Sequence, residues 1–315
     1  MRANRCATIV ARFLMVLLVV CPVAVLAAEA PESHPPLWRI RNDKTTLYVL
    51  GSLHIVPPGF RWRAPEIDAA MRATDTFVFE VPVDDDAVQH QKDFILRNGL
   101  LPPGTSLRAM LSRFEFQTYS RILSNAGLRT NQYIRYKPWL ASVIVGLAYV
   151  HQRDITTLKG VDDVIINYAQ TQGKELRYLE SIEQQMQLLM LGNELTQVKT
   201  LKRMISALPS TRSRSDDLLT AWASGDAKRF DAMIEADFAG HSEARDLLIS
   251  NRNRAWMGPV RNLLEAHGKT AFVTVGAAHL GGPKGLLALL CGEGHDVQRV
   301  GVDGAPDTKV CDVAA

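Results

Sequence analysis

Little charge of either sign is left over once the two ends of this sequence are read apart. The formal net charge is +3, but Arg2, Arg5 and Arg12 belong to an N-terminal segment with the features of a leader, and without them 33 basic residues face 33 acidic ones. No basic stripe is visible, which argues against a nucleic-acid binder. Cysteine is scarce too. Of four, Cys6 and Cys21 fall in the leader, leaving only Cys291 and Cys311. A disulfide-rich scaffold is excluded, and in an exported protein the remaining pair is expected to form one disulfide, stapling the tail to the last helix. The apolar run Trp139 to Val150 has twelve residues, too few for a membrane span, which needs roughly 20, so it reads as a buried helix. There is no H-E-x-x-H helix, which sets aside the common zinc proteases. No repeat of solenoid period and no low-complexity tract occurs.

The leader itself is positive: three arginines precede an apolar stretch from Phe13 to Ala28, interrupted by Pro22 and ending in small residues. This is the pattern of a secretory signal peptide over residues 1–27, cleaved after Ala27 or Ala30, and it implies a periplasmic or secreted protein with no membrane span. Leu18-Val19-Val20 ahead of Cys21 is no acylation box. A Pro-rich linker, 28–36, leads to a single expected domain over 37–315. With 47% apolar residues and about 285 residues, that domain can bury a substantial core.

Two stretches organise the domain. Leu47 to His54 and Ala271 to His279 each read as a buried strand of β-branched and aromatic residues that ends in G-x-x-H. Leu37 to Arg41 alternates at period two and, with Asn42-Asp43, predicts a hairpin into the first core strand. A helix opened by Pro65 and the strand Thr76 to Glu80 complete a β-α-β unit with parallel strands. Leu176 to Glu180 predicts another strand and Asp296 to Val300 a last one. Between them lie helical stretches near 84–158 and 181–267, the latter beginning with one helix from Ile182 to about Met204. Gly160-Val161-Asp162 opens a helix, and a further one is predicted over Glu243 to about His267. The fold class is α/β with α+β character: a central mixed, mainly parallel sheet carrying two helical insertions.

At the carboxyl ends of parallel strands His54, Glu80, Glu180 and His279 would share one rim. Imidazole and carboxylate together suit a divalent metal such as Mn, Co or Zn with open positions for water. A carboxylate not used as a ligand could accept a proton. Glu180 has a second reading as the N-cap of the following helix. Arg252 shares a helix face with Trp256 at i, i+4 and reads either as a surface charge or as a group that holds a carboxylate or a developing oxyanion.

These residues resemble a known family. The Gly51-Ser52-Leu53-His54 stretch with Pro57, Phe79-Glu80, Leu179-Glu180 with Gln184, Ala221-Trp222 with Gly225-Asp226, Arg252-Asn253-Arg254-Ala255-Trp256, and Gly276-Ala277-Ala278-His279-Leu280 with Gly282 look like the TraB/GumN family, in order, from about Leu37 to Val300. Ser52 stands where threonine is more usual. The family is related to the Tiki metalloproteases and, more distantly, to erythromycin-esterase-like hydrolases and a haem-binding lipoprotein, so the resemblance implies a sheet of that type. It also implies His54 and His279 as metal ligands, Glu80 as ligand or general base, and Arg252 beside them; Glu180, by its strand-end place, stands as a candidate second acid. Two functions follow as expectations: a metal-dependent hydrolase acting on a peptide or other small substrate, or a periplasmic binding protein that uses the same cleft for haem or another ligand without turnover.

Overall fold

The computed structural model describes residues 33–311, apart from 58, 152–159, 191, 208–210, 267, 303, 305 and 310. The leader expected over 1–27 and most of the linker lie outside the described residues. Among those described, seven strands form one mixed sheet: β1 Leu37–Arg41, β2 Thr46–Ser52, β3 Thr76–Phe79, β4 Glu175–Tyr178, β5 Thr270–Gly276, β6 Val297–Val300 and β7 Pro306–Lys309. Their order is β4-β3-β5-β2-β1-β6-β7. β4, β3, β5 and β2 run parallel, and β1, β6 and β7 add antiparallel pairings at the other edge.

β2 and β3 are parallel, as the β-α-β reading requires, yet they are not neighbours. The crossover through the Pro65–Arg72 helix leaves a slot, and β5, almost 200 residues further along, fills it in register with both: Leu50 faces Thr274 and Phe79 faces the same residue from the other side. The two central strands are covered on both faces, which is why they read as near-continuous apolar runs. On one face Leu47, Val49, Val273 and Val275 pack with Trp256, Met257, Val260 and Leu264 of the helix Asn251–Glu265. On the other Phe77 stacks on Phe272 at 5.7 Å and meets Tyr168 of the helix Val161–Thr171 edge-on at 5.9 Å. Leu47, Val49, Phe77, Phe272 and Val273 are fully buried, each worth at most about 1.5–3 kcal/mol in the folded chain.

The chain divides into two compact units. The sheet-bearing unit comprises the described parts of 24–80, 159–180 and 217–315. A helical unit comprises those of 81–158 and 181–216, with its own core around Leu107, Tyr119, Leu123, Trp139, Leu140, Val145, Met186 and Leu201. Trp139 to Val150 is thus part of a helix, Pro138–His151, whose described apolar side chains sit in that core. Among the described residues no helix is long and apolar enough to cross a membrane.

Three local readings change. The helix expected from Ile182 to Met204 is two, Ile182–Leu189 and Glu194–Ala207. Gly192 takes φ +75° between them, and Asn193 accepts from the Thr196 N–H as a new cap. The helix expected from Glu243 widens into a π turn, Asp246–Ser250, before continuing as Asn251–Glu265. A final strand, β7, follows Val300 and pairs with β6. The disulfide expected between Cys291 and Cys311 is present.

Candidate functional site

All four strand-end residues arrive at one rim within the sheet-bearing unit. β2 delivers His54, β3 Glu80, β4 Glu180 and β5 His279, each one to three residues beyond the strand's last residue. The backbone ladder continues past the strands, with the Leu179 N–H bonded to the Phe79 carbonyl and the Glu180 N–H to the Glu80 carbonyl, both at 2.9 Å. Those bonds fix where the two carboxylates leave the sheet. The glycine of each G-x-x-H has a steric reason. A Cβ on Gly51 would lie 2.8 Å from the Ala277 Cα, so the first glycine lets the second turn pack against β2. A Cβ on Gly276 would stand 3.4 Å from Glu80 Oε1, 3.5 Å from His54 Nε2 and 3.6 Å from His279 Cδ2, so the second glycine leaves open a point that three functional groups face.

Arg252 organises these groups. Its Nη2 donates to Glu80 Oε2 and, at 2.7 Å, to Glu180 Oε1. Nε donates to Glu180 Oε2 at 3.1 Å, and Nη1 to the Leu248 carbonyl at 3.2 Å and to His279 Nε2 at 2.9 Å. All five guanidinium N–H groups are thereby used. Arg252 is therefore no surface charge: it is 9% exposed, with its guanidinium carbon 4.7 Å over the Trp256 ring. Nor does it hold a spare donor for an oxyanion as it stands. The π turn contributes here, since Leu248 lies within it.

Each histidine is held from behind. His54 Nδ1 is 3.0 Å from Asp162 Oδ2, and His279 Nδ1 is 2.7 Å from Asn253 Oδ1. Asn253 cannot turn over, because its amide nitrogen donates to the His279 carbonyl at 3.0 Å and the Lys284 carbonyl at 2.9 Å. Asp162 and Asn253 both belong to the site and neither was singled out for it from sequence. The only signal was Asp162's place in the turn that opens a helix and Asn253's place beside Arg252. Glu180, given a second reading as an N-cap, is not one: Ser181 caps the following helix in a box with Gln184, leaving Glu180 to Arg252 and to the Trp256 indole N–H at 3.2 Å.

The electrostatics follow from burial and from Arg252. Burial would raise the Glu80 carboxyl, but Arg252, then His279, His54 and the Gly276 N–H at 2.7 Å, outweigh it and hold Glu80 at about 2. Glu180 is raised by burial, with Arg252 opposing. Burial drives His279 down to about 3, with Glu80 pulling the other way and Arg252 reinforcing the fall. Burial also disfavours charge on His54, but Asp162 and Glu80 outweigh it and raise its pKa. One imidazole is thus kept neutral while the other is made basic.

Among the described residues no three His, Cys, Asp or Glu side chains stand ready as a metal cluster. The donor chemistry nevertheless fits a divalent ion. His54 Nε2 and Glu80 Oε1 face the point in front of Gly276, and the Glu80, Glu180 and Asp162 carboxylates outnumber the single guanidinium by two negative charges. What keeps the set open is the bond from Arg252 to His279 Nε2, which His279 would have to give up to become a ligand.

A mixed α/β sheet whose parallel strand ends gather two histidines, two glutamates and an arginine defines a protein with one polar site at a sheet rim. The chain belongs to the TraB/PrgY/gumN family, whose model matches residues 36–299. A protein described as uncharacterized from Treponema pallidum (strain Nichols) is 23% identical over 313 aligned residues, covering 91% of this chain and 91% of that protein. No solved structure matches the chain significantly.

Proposed function

We propose that this chain is an exported, metal-dependent hydrolase acting on peptides, with His54 and His279 as ligands of a Mn, Co or Zn ion and Glu80 as a further ligand or the general base. The observation that supports this reading is the convergence of His54 Nε2, Glu80 Oε1 and the His279 ring on the point in front of Gly276. A bound divalent ion supplies Lewis acidity and lowers the pKa of a bound water. The chain's own groups do the rest. Arg252 keeps Glu80 ionised; held at about 2 its carboxylate is a weak base, which favours the ligand role over that of general base. Trp256, fully buried and 4.5 Å from the His279 ring, seals one side of the site. His54, with 13% of its side chain exposed, forms the edge open to substrate.

Gly276→Ala tests this without touching a ligand. The added methyl meets its neighbours at ordinary contact distances, and Gly276 has φ −52° and ψ 134°, which alanine adopts without strain. It therefore fits the metal-free fold while putting a methyl among the groups proposed to hold the ion. We expect wild type reconstituted with Mn, Co or Zn to retain about one ion per chain and to cleave members of a peptide library in a chelator-sensitive way. Gly276→Ala should do neither, at unchanged thermal stability. Equal metal retention by the two proteins, or a wild type that retains none, refutes the reading. A wild type that holds a ligand but is silent on peptides supports the non-catalytic alternative.

A further inference from the structure

We propose that Asp162 is the positioning residue of His54: it holds the neutral imidazole as the Nδ1–H tautomer, so that the Nε2 lone pair is directed at the point in front of Gly276. The proposal deepens the metal-hydrolase reading and rests on it for what Nε2 would bind.

Three features carry it. First, Asp162 Oδ2 lies 3.0 Å from His54 Nδ1, and a carboxylate can only accept, so the shared proton belongs to the imidazole nitrogen. The other ring nitrogen, Nε2, then has its lone pair free, and it is Nε2 that lies 3.5 Å from the Gly276 point. Second, Asp162 is 4% exposed, and its Oδ1 has no hydrogen-bond partner among the described residues. Its side chain thus pairs with a histidine 108 residues away, whereas an acid that served only to favour the start of its helix would normally be solvated. Third, the backbone is built to keep the pair together. The Val161 N–H bonds to the Leu53 carbonyl at 2.9 Å, and Gly160 comes so close to the His54 carbonyl that a Cβ there would lie 2.5 Å from the oxygen. The helix start and the first G-x-x-H turn are therefore locked to each other, and Asp162 meets His54 from a fixed position.

His279 supplies the internal control. Its Nδ1 is held by a neutral amide, Asn253, and not by a carboxylate, so a change at Asp162 should move His54 and leave His279 alone. Partners of this kind fix the tautomer and raise the basicity of a ligating imidazole, and losing one costs metal affinity by about 10–100-fold.

The experiment uses the mature protein labelled with 15N-histidine, with each ring assigned by substitution, in wild type, Asp162→Asn and Asp162→Ala. In metal-free protein at a pH above the imidazole titration, the nitrogen spectrum should show His54 with a protonated Nδ1 and a bare Nε2 in wild type. Asp162→Asn, whose amide oxygen can still accept, should keep that tautomer. Asp162→Ala should lose it, with His279 unchanged in all three. In parallel, competition with a chelator for Zn should show affinity about 10–100-fold lower in Asp162→Ala, with Asp162→Asn in between. A wild type with the proton on Nε2 overturns the proposal outright, whatever the variants do. So does a folded Asp162→Ala that retains both the Nδ1–H tautomer and wild-type Zn affinity. If wild type binds no metal but the tautomers behave as described, the positioning role stands and the metal-hydrolase reading falls.

Discussion

Removing the guanidinium at 252 is the perturbation the site should feel most, and in stability before activity. Arg252→Met keeps an apolar stem over Trp256 but strips the cation from two carboxylates that are 3% and 8% exposed. Its size can be worked from Glu80. The carboxyl is displaced from its ordinary 4.5 to about 2, which at about 1.4 kcal/mol per pKa unit is about 3 kcal/mol of stability at neutral pH. Leaving Glu180 unpaired adds to this, so the expected loss is about 3–5 kcal/mol, the usual cost of breaking a buried ion pair from one side. The pH dependence has a definite sign. In wild type the Glu80 contribution is complete above 4.5 and is lost as pH falls towards 2. In Arg252→Met burial loses its largest opponent, both carboxyls take up protons more readily, and the variant is penalised most where they are ionised. The gap between the two proteins should therefore shrink as the solution is acidified. Denaturant unfolding of chelator-treated protein, followed by tryptophan fluorescence from neutral to acid pH, measures it. Adding Glu80→Gln to Arg252→Met should restore about 0.5–3 kcal/mol by removing one stranded charge. A loss below about 1 kcal/mol, or a gap that does not change with pH, would show that the guanidinium does not hold these carboxylates in solution.

Two further outcomes are expected away from the rim. The bond between Cys291 and Cys311 closes a loop across a sequence separation of 20, so reduction, or Cys291→Ser, should lower the unfolding free energy by about 3 kcal/mol; no measurable difference with and without reductant would refute this. Asp231 is raised to about 6 by burial, with Glu235 adding and Arg245 opposing. Its favourable contribution is then complete below 3.8 and lost as pH rises through 6, so Asp231→Asn should be more stable by about 1–2 kcal/mol at neutral pH after allowing for solvent screening. The two proteins should coincide in acid, and a variant that is less stable at neutral pH contradicts the assignment.

Both G-x-x-H turns were legible because a strand buried on both faces leaves an unbroken apolar run, and a glycine after it marks a close approach. Glu80 and Glu180 were legible as strand ends for the same reason. The partners were not. Arg252 sits in a helix with Asn251, Asn253 and Arg254 around it, which locally reads as a solvated face; its burial is decided by carboxylates 172 and 72 residues away. Asp162 looked like an ordinary acid in a first helical turn, where such residues are common. The π turn has no sequence signature that a 3.6-residue period would reveal. The break at Gly192-Asn193 was legible in principle, as a glycine followed by a capping residue, but an apolar pattern on either side concealed it.

The order of the strands explains why sequence shows the parts of this site more readily than the site. His54 and Glu80 are fixed early in the chain, on β2 and β3, but the two strands are held apart by the width of one strand. In the sheet they are joined through β5, its register set on both sides. β5 then supplies the Gly276 N–H that Glu80 accepts, and the turn after it supplies His279. Arg252 arrives just ahead of it, on the helix whose Trp256 and Val260 pack in the same core as Val273 and Val275. Closing the slot in the sheet and closing the charge cluster are therefore one event. A core substitution that loosens β5, such as Val273→Ala, removes side-chain volume from the sheet core, yet it weakens the strand that joins β2 to β3 and with them His54 to Glu80.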